Sequence, residues 1–240
     1  MTDNHEIATL LQKEHYGFDD LSAIMRILRS EGGCPWDREQ DHHSIRSALI
    51  EETYEVVEAI DNEDPALLRE ELGDLLFQIF FHAQIEAEEN RFGVDEVVDD
   101  ISKKMIHRHP HVFGEVEVEN SSEVLKNWEN IKTEEKQRNT LVDKLRAIPP
   151  MMPALMRASK VCKKAGRSQG MELTARLDVM EAQIKALKSA LPSSESALHT
   201  AIGELLINVA DLSGTLGVDA EHALSSATDR LIDQIAEKNS

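Results

Sequence analysis

The stretch from Asp64 to about Glu89 constrains the fold more than any other part of this chain. On a helix advancing about 100° per residue, Leu67, Leu68, Leu72, Leu75, Leu76, Phe77, Ile79, Phe80, Phe81 and Ile85 point in nearly every direction. Such a helix is expected to be buried on most sides. Its polar residues keep to one strip, in which Glu71, Asp74, Gln78 and His82 span about 80°. Carboxylates within an apolar helix are costly unless neutralised or liganded, so the strip has to face a polar cavity or an ion. Gly73, roughly opposite, predicts a close approach by a neighbouring helix. Asp64-Pro65 supplies an N-cap and a proline at the first helical position.

The helix before it, from about Ser44 to Asp61, carries Glu51-Glu52-Thr53-Tyr54-Glu55. Ile45, Leu49, Val56 and Ile60 fall within about 60° of arc and define its buried face. Glu52 lies just outside that arc, and Glu55 lies farther round on the same side. Residues three apart stack on one helix face, so two such helices can gather four carboxylates around one hard cation. Oxygen ligands without His or Cys favour Mg²⁺ or Mn²⁺ over Zn²⁺. Mg²⁺ usually works through substrate phosphates, which points to a phosphorylated substrate. The competing reading is a solvated acidic face bridged to Arg46 or Arg69, which leaves the polar strip unexplained.

The remaining pattern is helical almost throughout and predicts an all-α fold. Helices are expected over Phe18–Ser30, from a cap at Asp95 to the residue before His109-Pro110, and from Ser121 to Lys136. Others are expected over Ala154–Lys164, Ala175–Ala190, Ser196–Ser213 and Asp219–Glu237. Cys34-Pro35-Trp36-Asp37 reads as a turn that Asp37 fixes, and Pro110–Asn120 as a loop or a short strand. Asn139–Pro153, with three prolines, reads as a linker. The expected domains are therefore 1–140 and 141–240.

Charge narrows the function. The net charge of −19 argues against nucleic-acid and anionic-membrane partners. Residues 1–140 hold 33 acidic against 14 basic residues, whereas 141–240 hold 12 of each, so carboxylate chemistry belongs to the first part. No apolar run approaches a membrane span, and the acidic N-terminus lacks the apolar core of a signal peptide. With two cysteines, Cys34 and Cys162, a disulfide framework is not expected, and the cytoplasm is the expected compartment.

Glu51-Glu52-x-x-Glu55 followed by Glu71-x-x-Asp74 resembles the signature of the MazG-type all-α nucleoside triphosphate pyrophosphohydrolases. The resemblance covers most of residues 20–138. It includes Gly33-Cys34-Pro35-Trp36-Asp37, Glu39-Gln40, His42, Leu72 to Phe77, Arg108-His109-Pro110-His111-Val112-Phe113 and Asn127-Trp128-Glu129-x-x-Lys132. It implies Mg²⁺-dependent hydrolysis of nucleoside triphosphates to monophosphate and pyrophosphate, with Mn²⁺ a possible substitute. It also implies helical bundles assembled as a homodimer. Carried onto this chain, Glu52, Glu55, Glu71 and Asp74 are the expected metal ligands. Among the catalytic acids Glu51, Glu52 and Glu55, Glu51 is the candidate base for the attacking water, with surface solvation as its equal alternative.

An acidic chain needs cations to hold a triphosphate. Lys104 and Arg108, at i,i+4, are the expected phosphate contacts, with Lys132 a lesser one. The plainer reading pairs these cations with Asp99 and Asp100. Trp36 and Trp128 each suit either base stacking or packing. The alternation of His107, His109 and His111 resembles a zinc site, but Pro110 interrupts it and helix-end packing fits better. A di-iron bundle would need two Glu-x-x-His pairs, and only Glu39-x-x-His42 is present. The wider alternatives are a narrower dUTP or dCTP pyrophosphatase and a non-enzymatic scaffold with a vestigial acidic cluster.

A repeat divides the chain. Glu71 to Phe77 is echoed by Ala201 to Ile207, Gly93-Val94-Asp95 by Gly217-Val218-Asp219, and Ala23 to Arg26 by Ala154 to Arg157. In the second copy Ala182-Gln183-Ile184-Lys185-Ala186 stands where the first has Glu51 to Glu55. Ala201 and Glu204 replace Glu71 and Asp74. One acid cannot hold Mg²⁺ in this manner, so the second copy is expected to be structural or dimerising.

Overall fold

The computed structural model describes residues 4–135, 140–167, 169–190 and 194–239. Among these there are helices and no strand, in accord with the all-α expectation. The chain forms two compact units, 1–128 and 129–240.

The first unit contains α1 (Asn4–Leu11), α2 (Phe18–Arg29), α3 (Pro35–Glu39), α4 (Arg46–Asp61), α5 (Pro65–Glu88), α6 (Val94–Arg108) and α7 (Pro110–Phe113). It also holds the larger part of α8 (Ser121–Glu135). The helix read through Lys136 is therefore seen to Glu135, and Lys136 lies outside the described residues. α5 starts where its cap residues require, with the Asp64 carboxylate accepting from the amides of Ala66 at 2.9 Å and Leu67 at 3.1 Å. The core joins three helices: Met25 of α2, Phe81 and Ile85 of α5, and Ile45 just ahead of α4. The Arg29 guanidinium lies 5.2 Å from the centre of the Phe81 ring. It also bonds Glu88 twice at 2.8 Å, the Gln40 carbonyl at 3.1 Å and the Asp37 carbonyl. These bonds anchor α3, with Asp37 buried, against α2 and the end of α5.

Several expectations change. Cys34 to Glu39 opens a one-turn helix, α3, behind Pro35, and α1 had no signal in the pattern. Gly93, not Asp95, caps α6, because Glu96 reaches back to the Gly93 amide at 2.9 Å. The segment after His109 forms the single turn α7 and no strand, since Pro110 presets a helical first position. Ile60 is exposed, and Ala59 takes the buried place on α4. Among the described residues, a side-chain carbon at Gly73 would meet nothing within 4 Å, so the close approach expected there is not made within them. α5 is buried mainly in its second half, while Leu72 and Ile79 stay exposed.

The second unit holds the end of α8, then α9 (Leu141–Arg146), α10 (Ala154–Ala165), α11 (Leu173–Ala190), α12 (Glu195–Thr215) and α13 (Ala220–Lys238). α9 lies inside the stretch read as a linker, and Asn139 of that stretch is outside the described residues. Thr140 caps α9 by accepting from the Asp143 amide at 3.1 Å. α12 packs on α10 and α11. No single described helix is long and apolar enough to cross a membrane.

Candidate metal centre

α4 and α5 run side by side after a turn through Asn62, Glu63 and Asp64, in which Glu63 takes the left-handed conformation at φ 51°. The turn brings the acids of the two helices together. Carboxylate oxygens of Glu52, Glu55 and Glu71 lie within 4.8 Å of one another. This is the one such grouping of three or more potential ligands among the described residues. All three residues are partly buried. Asp74 is exposed and lies outside this tight group, yet its charge acts on both Glu52 and Glu71.

The electrostatics are those of like charges gathered at one place. Loss of surrounding water holds the Glu52 carboxyl above the usual range. The hydrogen bond to Glu55 and the charges of Glu55, Asp74 and Glu71 add to this. Glu71 is raised in the same direction, first by burial and then by Glu55, Asp74, Glu70 and Glu58. The charges acting on both groups are acids, so the salt-bridged alternative with Arg46 or Arg69 finds no support here. Three converging oxygens with nothing softer among them suit a hard divalent cation.

Stability should report this repulsion. In a carboxyl group raised by folding, the ionised form destabilises the native state, so stability is lost as pH rises through the folded value. In chelator, acidification toward the ordinary carboxylate range should raise the melting temperature. Glu86 acts oppositely: hydrogen bonding to Arg91 is the first cause of its lowering to about 2, and His42 contributes. Its stabilisation is lost as pH falls from the ordinary value toward about 2. The melting profile should therefore peak near the ordinary carboxylate value. Glu52→Gln should flatten the rise on the neutral side and leave the acid limb. A profile unchanged by Glu52→Gln would contradict this account.

The polar strip on α5 continues beyond the acids. Gln78 is buried and its Oε1 has no hydrogen-bond partner. His82 stacks on His42, with ring centres 5.0 Å apart and Nδ1 atoms separated by 2.7 Å. His42 Nε2 lies 2.5 Å from Glu86, whose carboxylate also binds Arg91. Burial, and then His42, lowers the His82 imidazole below its ordinary value. Sequence reasoning missed Glu86 and Arg91, although Glu86 follows His82 by four residues on the same strip.

The other expected site residues are dispersed. Glu51 is exposed on α4, Lys104 on α6 and Trp36 on α3. Lys103, the neighbour of Lys104, pairs with Asp99. Arg108, one turn beyond Lys104 on α6, is buried, with its guanidinium 5.3 Å from the centre of the Trp128 ring. Arg108 and Trp128 thus pack on one another. Lys132 belongs to the second unit, 3.8 Å from Glu129. His109 bonds the Met105 carbonyl at 2.6 Å, the helix-end packing expected.

In the second unit the repeat sets Gln183 against Glu52, and Ala182, Ala186 and Ala201 against Glu51, Glu55 and Glu71, while Glu204 keeps the acid of Asp74. Gln183 accepts from Asn208 at 2.7 Å, while Asn208 accepts from Arg167 at 2.9 Å.

Acids converging from paired helices of an all-α fold mark a carboxylate site, and residues 40–113, which carry it, match the MazG nucleotide pyrophosphohydrolase domain. The chain is 42% identical over 219 residues to the nucleoside triphosphate pyrophosphohydrolase of Escherichia coli K12, covering 88% of this chain and 83% of that protein. It is 38% identical over 219 residues to the nucleoside triphosphate pyrophosphohydrolase/pyrophosphatase MazG of Thermotoga maritima, covering 90% of this chain and 83% of the other. A nucleoside triphosphate pyrophosphohydrolase of Mycolicibacterium smegmatis is 34% identical over 216 residues, or 87% of this chain and 64% of its own. The chain belongs to the MazG family of nucleoside triphosphate pyrophosphohydrolases.

Proposed function

We propose that this enzyme hydrolyses nucleoside triphosphates to nucleoside monophosphate and pyrophosphate with Mg²⁺, Mn²⁺ serving in its place, and so clears noncanonical or excess nucleotides. The observation that carries this reading is the convergence of Glu52, Glu55 and Glu71 within 4.8 Å, in a chain of this family. Glu52, Glu55 and Glu71 would hold the cation, with Asp74 as a fourth ligand. A divalent cation held there would supply the positive charge that phosphate oxygens and a departing pyrophosphate need. Glu51, exposed beside the cluster, accepts the proton of the attacking water. Lys104 offers a point charge to the phosphates, and Trp36 a surface for the base. Arg108 keeps Trp128 in position.

Residues 1–140 form the catalytic copy and 141–240 a structural copy, a division supported by the uncharged Ala182, Gln183, Ala186 and Ala201 that stand where the first copy has acids. A homodimer is the assembly we assign. Ile50, Val57 and Ile60 on α4 and Leu72 and Ile79 on α5 stay exposed in the single chain, an apolar surface of the kind a second copy covers. The enzyme works in the cytoplasm.

The decisive experiment identifies the phosphorus products from ATP, dCTP, dUTP and a deaminated purine triphosphate, with Mg²⁺ and in chelator. Pyrophosphate and monophosphate, formed with Mg²⁺ alone, are the expected products. Release of single phosphates, or no turnover at high protein concentration, would overturn the proposal.

A further inference from the structure

Within the second unit, α8, α9, α10 and the loop after α9 enclose a cleft of about 300 Å³. Lys132, Lys144, Lys160 and Lys164 line it, Glu129 is the acid among its walls, and buried Ile148 closes it from below. Four lysines and one glutamate are thus its charged lining among the described residues, in a chain whose net charge is −19. Glu129 is shared, standing 3.8 Å from the Lys132 Nζ and 3.7 Å from the Lys164 Nζ.

Spacing explains how the lysines assemble. Lys160 and Lys164 stand one turn apart on α10 and share a face. α9 packs on α10 and contributes Lys144. Lys163 and Lys164 sit in the last turn of α10, where cations are favoured by the helix dipole. That effect accounts for neither Lys132 nor Lys144, which arrive from other helices. Gathering like charges in a concave site is unfavourable by itself and concentrates anions in it. Lysine is a compact point charge with three rotatable donors, suited to phosphate oxygens whose positions vary along a chain.

We propose that this cleft is an anion site for an oligophosphate, separate from the acid cluster and independent of a divalent cation. Its ligand is either inorganic pyrophosphate or the phosphate chain of a nucleotide. The site rests on Lys144, Lys160 and Lys164 together with Lys132, and it stands whether or not the hydrolytic reading of α4 and α5 does. Occupied, it would tie α8, α9 and α10 together through one ligand, a means by which phosphate compounds could stabilise the second unit.

The test uses the full chain in chelator, where carboxylates have no cation through which to hold phosphate. Titration calorimetry with inorganic pyrophosphate and with ADP should give one site whose affinity falls with added salt. Lys144→Glu, Lys160→Glu and Lys164→Glu should each weaken it at least tenfold, while Lys188→Glu, an exposed charge-matched control on α11, should not. Tighter binding of pyrophosphate identifies the inorganic ligand, and tighter binding of ADP the nucleotide; either supports the site. Ligand-induced rise in melting temperature provides a second readout, lost in the same three variants if they remain folded. Absence of binding by both ligands at millimolar concentration, or binding that survives all three reversals, overturns the proposal. Because no turnover is measured, a failure here is separable from a failure of the hydrolase reading.

Discussion

Glu52→Gln and Glu71→Gln are expected to abolish cation binding while making the cation-free protein more stable. Each substitution keeps the side chain's volume and removes a negative charge from a group whose neighbours are acids. Even groups that merely orient metal ligands cost about 10–100-fold in affinity or activity when lost. Removal of a ligand itself should exceed about a hundredfold in pyrophosphate release. Without a cation the sign reverses, because the repulsion around Glu52 and Glu71 is relieved and the melting temperature should rise. Mn²⁺ titration followed by electron paramagnetic resonance, beside thermal melts in chelator, reads both effects. Full turnover in either variant would remove that residue from the ligand set. A lower melting temperature in chelator would show that the carboxylate serves folding instead.

Phe81→Ala should produce the largest loss of stability available from one side chain in the first unit. The ring is 1% exposed, packs edge-on against Phe77 with centres 5.9 Å apart, and touches the cluster built from α2, α5 and the start of α4. Truncating a buried phenylalanine costs about 3–5 kcal/mol, a large share of the roughly 5–15 kcal/mol that holds a typical domain together. Urea unfolding should show the midpoint fall sharply, with cation binding lost in parallel because α4 and α5 are no longer held in register. Leu11→Ala, at a position 79% exposed, should shift the midpoint by no more than about 0.5 kcal/mol. A Phe81→Ala midpoint as close to the parent as that would contradict the assigned core.

How much of this was legible in the sequence depended on length scale. α5 and its acid strip were readable because many residues repeat one period, and Asp64-Pro65 marked its first turn. Glu52, Glu55 and Glu71 could be brought together on paper because two long helices joined by a tight turn leave few ways to face each other. α3, α7 and α9 were not readable as helices, since each is too short to establish a period. α1, barely longer, also passed unread. The packing of Arg108 on Trp128 and of His42 on His82 joins residues 20 and 40 positions apart, which no local pattern encodes. Ile60 and Ala59 exchanged places because burial follows the neighbour's shape, not hydrophobicity alone. Gly73 suggested an approach that the described residues do not make.

The length of α5 between Glu71 and Phe81 carries a consequence for how this gene can change. One residue added inside that stretch of helix would turn the two side chains by about 100° relative to each other, so that Glu71 could not meet Glu52 while Phe81 stays with Met25. Insertions there are therefore expected to be purged as severely as loss of a catalytic acid. Sequence length, along this one stretch, is itself under chemical constraint.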